Sequence, residues 1–157
     1  DVFSNSLYGK QVRYSNGPTL ESPLSAAQCV HDMLLQSWGD KIRVFPAVPA
    51  SWQNVIFHHL RAQGAFLVSA ERRDSRTRWV RVKSLAGEPC RVSLNISGSI
   101  KVKGARAFDV KRVSQDVYEI DLKQGENVLI FQTGIRPDVK IQPVAAEPSQ
   151  LRGYGLK

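Results

Sequence analysis

Cysteine, methionine and histidine are scarce in this chain: two, one and three residues among 157. Cys29 and Cys90 belong to no CxxC, CxxxC or Cys/His cluster, so a zinc site has no ligand set to draw on. They read as packing residues or free thiols. A disulfide between them stays open, because bridging depends on Cα separation and not on spacing in sequence. His31 stands on a helical stretch with no ligand partner three or four residues away. His58 and His59 are neighbours on a predicted strand, where successive side chains point to opposite faces, so the pair is not expected to share a metal. All three histidines are assigned structural roles, and neither a metal nor a cofactor is expected. Also missing are a glycine-rich phosphate loop and the G-x-S-x-G turn that exposes a nucleophilic serine. No apolar run approaches the roughly 18 to 20 residues of a membrane span, so no membrane partner is expected. Asp1-Val2-Phe3-Ser4 has neither the basic nor the apolar region of a signal peptide.

Acidic residues are in the minority, 14 Asp and Glu against 22 Lys and Arg, for a formal charge of +8. Such an excess invites nucleic acid, since clustered cations release counterions from phosphates. Here the cations are dispersed along the chain. Arg76, Arg78, Arg81 and Lys83 share a segment with Trp79, Val80 and Val82, the pattern of a solvated sheet face. No nucleic-acid partner is expected, and the charge is assigned to solubility or to docking on an acidic neighbouring surface.

One main domain is expected, long enough to bury a real core. Residues 1–20 show no sustained period and include the turn cluster Ser15-Asn16-Gly17-Pro18, so they read as loop. Ser22-Pro23 then supplies an N-cap and a proline at the first helical position. Leu24, Ala27, Val30 or His31 and Leu34 recur at helical spacing, which predicts a helix from Ser22 to Trp38. Ala26, Cys29, Met33 and Leu35 widen its apolar stripe, so contact on more than one side is expected. Past Gly39 the period falls to two. Ile42 to Phe45, Val55 to Leu60, Ala65 to Arg73, Thr77 to Leu85, Cys90 to Ile96, Ile100 to Lys103, Ala107 to Val113, Val117 to Leu122 and Asn127 to Gln132 are short runs rich in Val, Ile and aromatics. Between them lie Arg73-Asp74-Ser75, Ala86-Gly87-Glu88-Pro89, Ser97-Gly98, Gly104 and Gln124-Gly125-Glu126, which favour turns.

This pattern predicts a mainly β fold, an antiparallel β-sandwich built as a meander and preceded by one N-terminal α-helix. There is no room for βαβ crossovers, so a parallel sheet is not expected. In Val117 to Leu122 the residues Tyr118, Ile120 and Leu122 form the core face and Val117, Glu119 and Asp121 the wet one. The tail after Gly134, with Pro137, Pro143 and Pro148, reads as an extended or disordered arm. The expected division is 1–38 for the helix-bearing segment, 39–134 for the sandwich and 135–157 for the tail.

Two segments together point to a family. Met33-Leu34-Leu35-Gln36-Ser37-Trp38 runs through Gly39-Asp40-Lys41 into Ile42-Arg43-Val44-Phe45-Pro46-Ala47-Val48-Pro49. Trp52 then precedes Leu60-Arg61-Ala62-Gln63-Gly64-Ala65-Phe66-Leu67-Val68. Over roughly residues 20 to 95 this resembles family 95 glycoside hydrolases, the α-L-fucosidase and α-L-galactosidase group, at the junction between the last helix of an (α/α)6 barrel and a C-terminal β-sandwich. The resemblance implies that the helix is a barrel helix and that the sandwich supports the barrel. It also implies an oligosaccharide or glycan substrate handled by the intact parent, inverting hydrolysis, a secreted or periplasmic setting, and no activity of this chain alone.

In that family an Asp within Asp-Gly-Asn-Phe-Gly-Gly, just before this helix, is the general base. The matching position here is Glu21, within Glu21-Ser22-Pro23-Leu24-Ser25, so the glycines are replaced and the carboxylate stands one methylene further out. Such a base would activate water across roughly 6.5 to 9.5 Å from the general acid. The plainer reading of Glu21 is a first-turn acid favoured by the helix dipole. Trp52 and Trp79 are candidates for stacking on a sugar, with core or junction packing as the alternative for both and for Trp38. A freestanding carbohydrate-binding or adhesion module using Trp52 or Trp79 is the competing function. Asn95-Ile96-Ser97 matches a glycosylation sequon.

Overall fold

The structure, a computed structural model, describes the backbone of residues 21–141 and the side chains of residues 24–141. The predicted opening loop and the Pro143 and Pro148 part of the tail lie outside the described residues. Among the described residues the fold is mostly β: ten strands in two sheets behind one short helix, α1 (Glu21–Leu34). Strands β3 (Val55–Ala62), β4 (Phe66–Arg73) and β5 (Arg76–Ser84) form an antiparallel meander. It is extended by β10 (Asn127–Gln132) and closed at its edge by β7 (Ile100–Gly104). The other sheet orders β1 (Leu35–Gln36), β2 (Ile42–Val44), β6 (Cys90–Ser93), β9 (Val117–Ile120) and β8 (Val110–Arg112).

Tight turns set the register of the meander. Asp74 and Ser75, both at positive φ, bridge the closing pair Arg73 and Arg76, the two-residue geometry whose twist matches that of the strands. One apolar cluster fills the space between the sheets. Ile42, Val44, Cys90, Val92 and Ile120 come from one side, and Phe57, Val68, Ala70, Val80, Val82, Val128 and Ile130 from the other. The alternation read in β9 holds for Ile120 and Leu122, both buried, but Val117 is buried as well at 6% exposure.

Two expectations about topology need correction. The meander covers only β3 to β5; from there β6, β7, β8–β9 and β10 alternate between the sheets, as a sandwich requires when each hairpin cannot extend its own sheet. One parallel pair also exists, Ile42 opposite Val92 and Arg43 opposite Ser93. Parallel neighbours need a long crossover, usually a helix. Here the whole β3–β4–β5 meander of the opposite sheet serves as that crossover.

The helix is expected to reach Trp38 but ends at Leu34. Leu35 and Gln36 pair instead with Val44 and Arg43, across a turn in which Gly39 and Asp40 take positive φ. Leu35 is thereby buried to 1% exposure in the sandwich core. That burial outweighs the good intrinsic helical preference of Leu and Gln, which amounts to only tenths of a kcal/mol per residue.

Candidate functional site

The end of α1 is bonded into the sandwich. A helix leaves its last carbonyls without intrahelical partners. Here the Phe45 N–H donates to the Leu34 carbonyl at 2.8 Å and the Ala47 N–H to that of Met33 at 3.3 Å. Phe45 reaches this position at φ 53, uncommon for a bulky residue, and is held there by burial and by an edge contact with Phe57, ring centroids 5.3 Å apart. Immediately beyond, Trp38 is 61% exposed. The Arg43 guanidinium lies 3.7 Å from the centre of its ring and donates to its carbonyl at 2.6 Å, while the indole N–H donates to Gln36 Oε1 at 3.2 Å. The ring is thus oriented from one side by a cation.

A hollow of about 210 Å³ is lined by Ser37, the sequence neighbour of Trp38, and by Asp40, Lys41, Gln63, Glu88 and Arg91, among others. Ser37 Oγ accepts from the Gln63 N–H at 2.9 Å, tying the hollow's wall to the β3–β4 hairpin. Donors and acceptors facing a small concavity suit sugar hydroxyls. Sequence reasoning missed this grouping because Ser37 and Trp38 were assigned to the helix. The Gly39-Asp40 turn was the signal that could have separated them.

The residues singled out from sequence do not converge. Glu21 opens α1, and its side chain lies outside the described residues. The 14-residue helix is about 21 Å long, so Glu21 stands a helix length from the Trp38 end. Trp52 sits in the β2–β3 loop, where its N–H donates to the Pro49 carbonyl at 2.9 Å and its side chain is partly open to solvent, the residue being 38% exposed. Trp79, also a stacking candidate, is at 0% exposure, so no ring face is open to a sugar. Its indole N–H lies 3.0 Å from Glu71 Oε2 and 2.9 Å from the Asp138 carbonyl. The alternative of packing therefore holds for Trp79, and the expectation of stacking is corrected.

The two neighbouring histidines also depart from expectation. A bulge between Phe57 and Leu60, with His59 at φ 55, breaks the two-residue alternation. The two rings consequently stack at 3.6 Å on the same side of β3, with Ser69 Oγ 3.2 Å from His58 Nδ1. The His59 imidazole is held below its ordinary 6.5, first by desolvation and then by the charges of His58, Lys83 and Arg81. Among the described residues no three His, Cys, Asp or Glu side chains gather closely enough to hold a metal ion. Cys29 and Cys90 are free thiols, the first exposed and the second buried.

Carboxylates of the sandwich are engaged in ion pairs. Glu71 pairs with Arg73 at 2.7 Å, Glu119 with Arg91 at 2.7 Å and Glu126 with Arg106 at 2.7 Å. Such pairs fix loops and strand neighbours and leave no lone proton acceptor at these three positions. The profile of glycoside hydrolase family 95, C-terminal domain, matches residues 36–130, from the first sandwich strand into the last. No curated protein matches the chain.

Proposed function

The chain belongs to the glycoside hydrolase family 95 C-terminal domain family, and from that premise we propose that it is the accessory β-sandwich of an α-L-fucosidase-like hydrolase acting outside the cytoplasm. In this reading residues 39–134 brace a catalytic (α/α)6 barrel and residues 1–38 bring its last helix. The observation that carries it is the state of α1. Its final turn is hydrogen-bonded into a sandwich that already has its own core, yet Leu24 is 66% exposed and Ala27 and Cys29 are exposed too. An apolar helix face presented to solvent asks for neighbours, and a helical barrel is the neighbour that the family supplies.

Glu21 is then the general base at the mouth of that helix. It takes a proton from water as the oxygen attacks the anomeric carbon, while an acid on the barrel protonates the departing oxygen. The chain alone holds one of the two carboxylates and is expected to turn nothing over. The test is hydrolysis of aryl α-L-fucoside and α-L-galactoside by the full-length parent. Glu21→Gln should abolish turnover there and leave the melting temperature unchanged; a variant that hydrolyses at the parental rate overturns the base assignment. Failure of the parent on both substrates overturns the fucosidase-like reading.

A further inference from the structure

The outer face of the β3-β4-β5-β10-β7 sheet carries charge that the sandwich does not use. Val68, Ala70, Val80, Val82, Val128 and Ile130 point into the core, so the residues between them point away. Register then aligns Arg61 with Leu67 and Lys83, Arg81 with Leu129 and Lys103, and Lys101 with Phe131. Neighbouring strands lie about 4.8 Å apart and alternate residues about 7 Å along a strand. Five cations, Arg61, Arg81, Lys83, Lys101 and Lys103, therefore share one flat face. Among the described residues, none of the five is in a salt bridge; the arginines that are paired are Arg73, Arg78, Arg91 and Arg106. Glu126 lines a hollow at the edge of this face but is neutralised by Arg106 through contacts of 2.7 and 2.9 Å. Between β5, β10 and β7 the face sinks into an open trough of about 700 Å³, with Arg81 and Lys103 among its lining and Leu129 in its wall.

We propose that this face binds an acidic polysaccharide, its carboxylate or sulfate groups lying across Arg81 and Lys103 in the trough and Lys83 on the face beside it. The choice of partner rests on the groups that the face presents. A protein interface has an apolar centre inside a polar rim. The large exposed apolar residues, Leu24, Trp38, Trp52, Val113 and Ile141, all lie outside these five strands. Single-stranded nucleic acid needs aromatic stacking platforms, but Trp79 is buried here, Phe131 is half-buried, and the exposed rings of His58 and His59 are already stacked on each other. A duplex groove is read by a protruding helix or ribbon, not by a flat sheet. A polyanion without bases is what remains. The inference rests on the glycan-handling reading above for its choice of a sugar polymer over other polyanions.

The positive field also supplies a reporter. His59 is kept below its ordinary value partly by Lys83 and Arg81, so an anion seated over those two groups raises its pKa. In the test, the 157-residue chain is titrated with heparin, polygalacturonate, neutral dextran and single-stranded poly-dT at several salt concentrations. Binding to at least one acidic polysaccharide, weakening steeply with salt, is expected, together with an upward shift of the His59 titration. A triple variant, Arg81→Gln with Lys83→Gln and Lys103→Gln, should lose at least about tenfold in affinity while melting with the parental chain. The control triple Lys111→Gln, Arg112→Gln, Lys123→Gln, outside the five strands of this face, should lose much less. Equal loss in both triples, tighter binding of poly-dT, or an unmoved His59 overturns the assignment. A parent that cleaves the fucoside while the chain ignores acidic glycans leaves the function standing and removes this inference. The reverse outcome removes the fucosidase-like reading and leaves the polyanion face.

Discussion

Cys90 is at 0% exposure where β6 faces the opposite sheet, and burial pushes its thiol from the ordinary 9.0 up to about 12. Cys29 is exposed on α1. A thiol reagent at neutral pH should therefore modify one cysteine per native chain, with Cys90 reacting only after denaturation; native protein carrying two labels in its mass spectrum would contradict this. The shift has a signed consequence for stability. Between 9.0 and about 12 the folded state keeps a proton that the unfolded chain has released, so stability falls as pH rises through that window. Denaturation midpoints measured near pH 8 and about pH 10.5 should therefore drop less in Cys90→Ala than in the parental chain. At this scale the sequence was legible where local pattern decides. Both cysteines read as packing residues or free thiols, and the buried Cys90 is a packing residue with a free thiol. Trp79 is different, because alternation puts it on the outer face with Arg81, and its burial comes from Glu71 and from Asp138, 59 residues away. No local period contains that contact.

Strand positions were legible to within a few residues because turn formers and β-branched runs agree with each other. Asn127–Gln132 and the start of β6 at Cys90 coincide with the reading; the other strands differ mainly at their ends, except β1, whose Leu35 and Gln36 are read as helix. The misreadings fall where one residue breaks a period. The extra residue at His58-His59 brings two neighbouring rings to one side, where histidine does not announce a positive φ as glycine does, and the turn at Gly39-Asp40 folds Leu35 and Gln36, read as helix, back onto β2. Loops are also stapled by charges that no spacing predicts. Arg106, between β7 and β8, holds Glu126, between β9 and β10, and donates to the Asp121 carbonyl at 3.0 Å. The Glu126 carboxyl is consequently held below its ordinary 4.5, chiefly by that Arg106 bond and next by the Lys123 N–H. Its folded value is the lower one, so the contribution to stability is present above the unfolded pKa and is lost as pH falls through the folded one. Arg106→Lys removes the two-pronged geometry. A carbon-detected titration should show the Glu126 carboxyl moving back toward 4.5 in that variant; an unchanged value would mean that the Lys123 N–H alone sets it.

For the whole molecule, fold class and family were legible because a sandwich advertises itself through many short strands and the helix-to-strand junction has a distinctive run of residues. The candidate site was legible only in pieces, since Glu21, Trp52 and Trp79 occupy a helix start, a loop and an interior. Bringing such pieces together is long-range work, and in the function proposed above part of it falls to a barrel outside this domain. That division predicts uneven stability. The sandwich closes its own core, whereas α1 has 14 residues, near the lower limit at which a helix persists alone in water, and is attached through its last turn. In hydrogen exchange of the 157-residue chain, amides in the first two turns of α1 should exchange long before those of β4, β5 and β10, which should open only with global unfolding. Leu24→Glu should accordingly move the melting of this chain by no more than about 0.5 kcal/mol in stability. The same change in the full-length parent should cost several times more, because an unpaired carboxylate would then be forced against the barrel. Equal small effects in both proteins would mean that α1 remains solvated in the parent, and the bracing role proposed for the sandwich would lose its attachment.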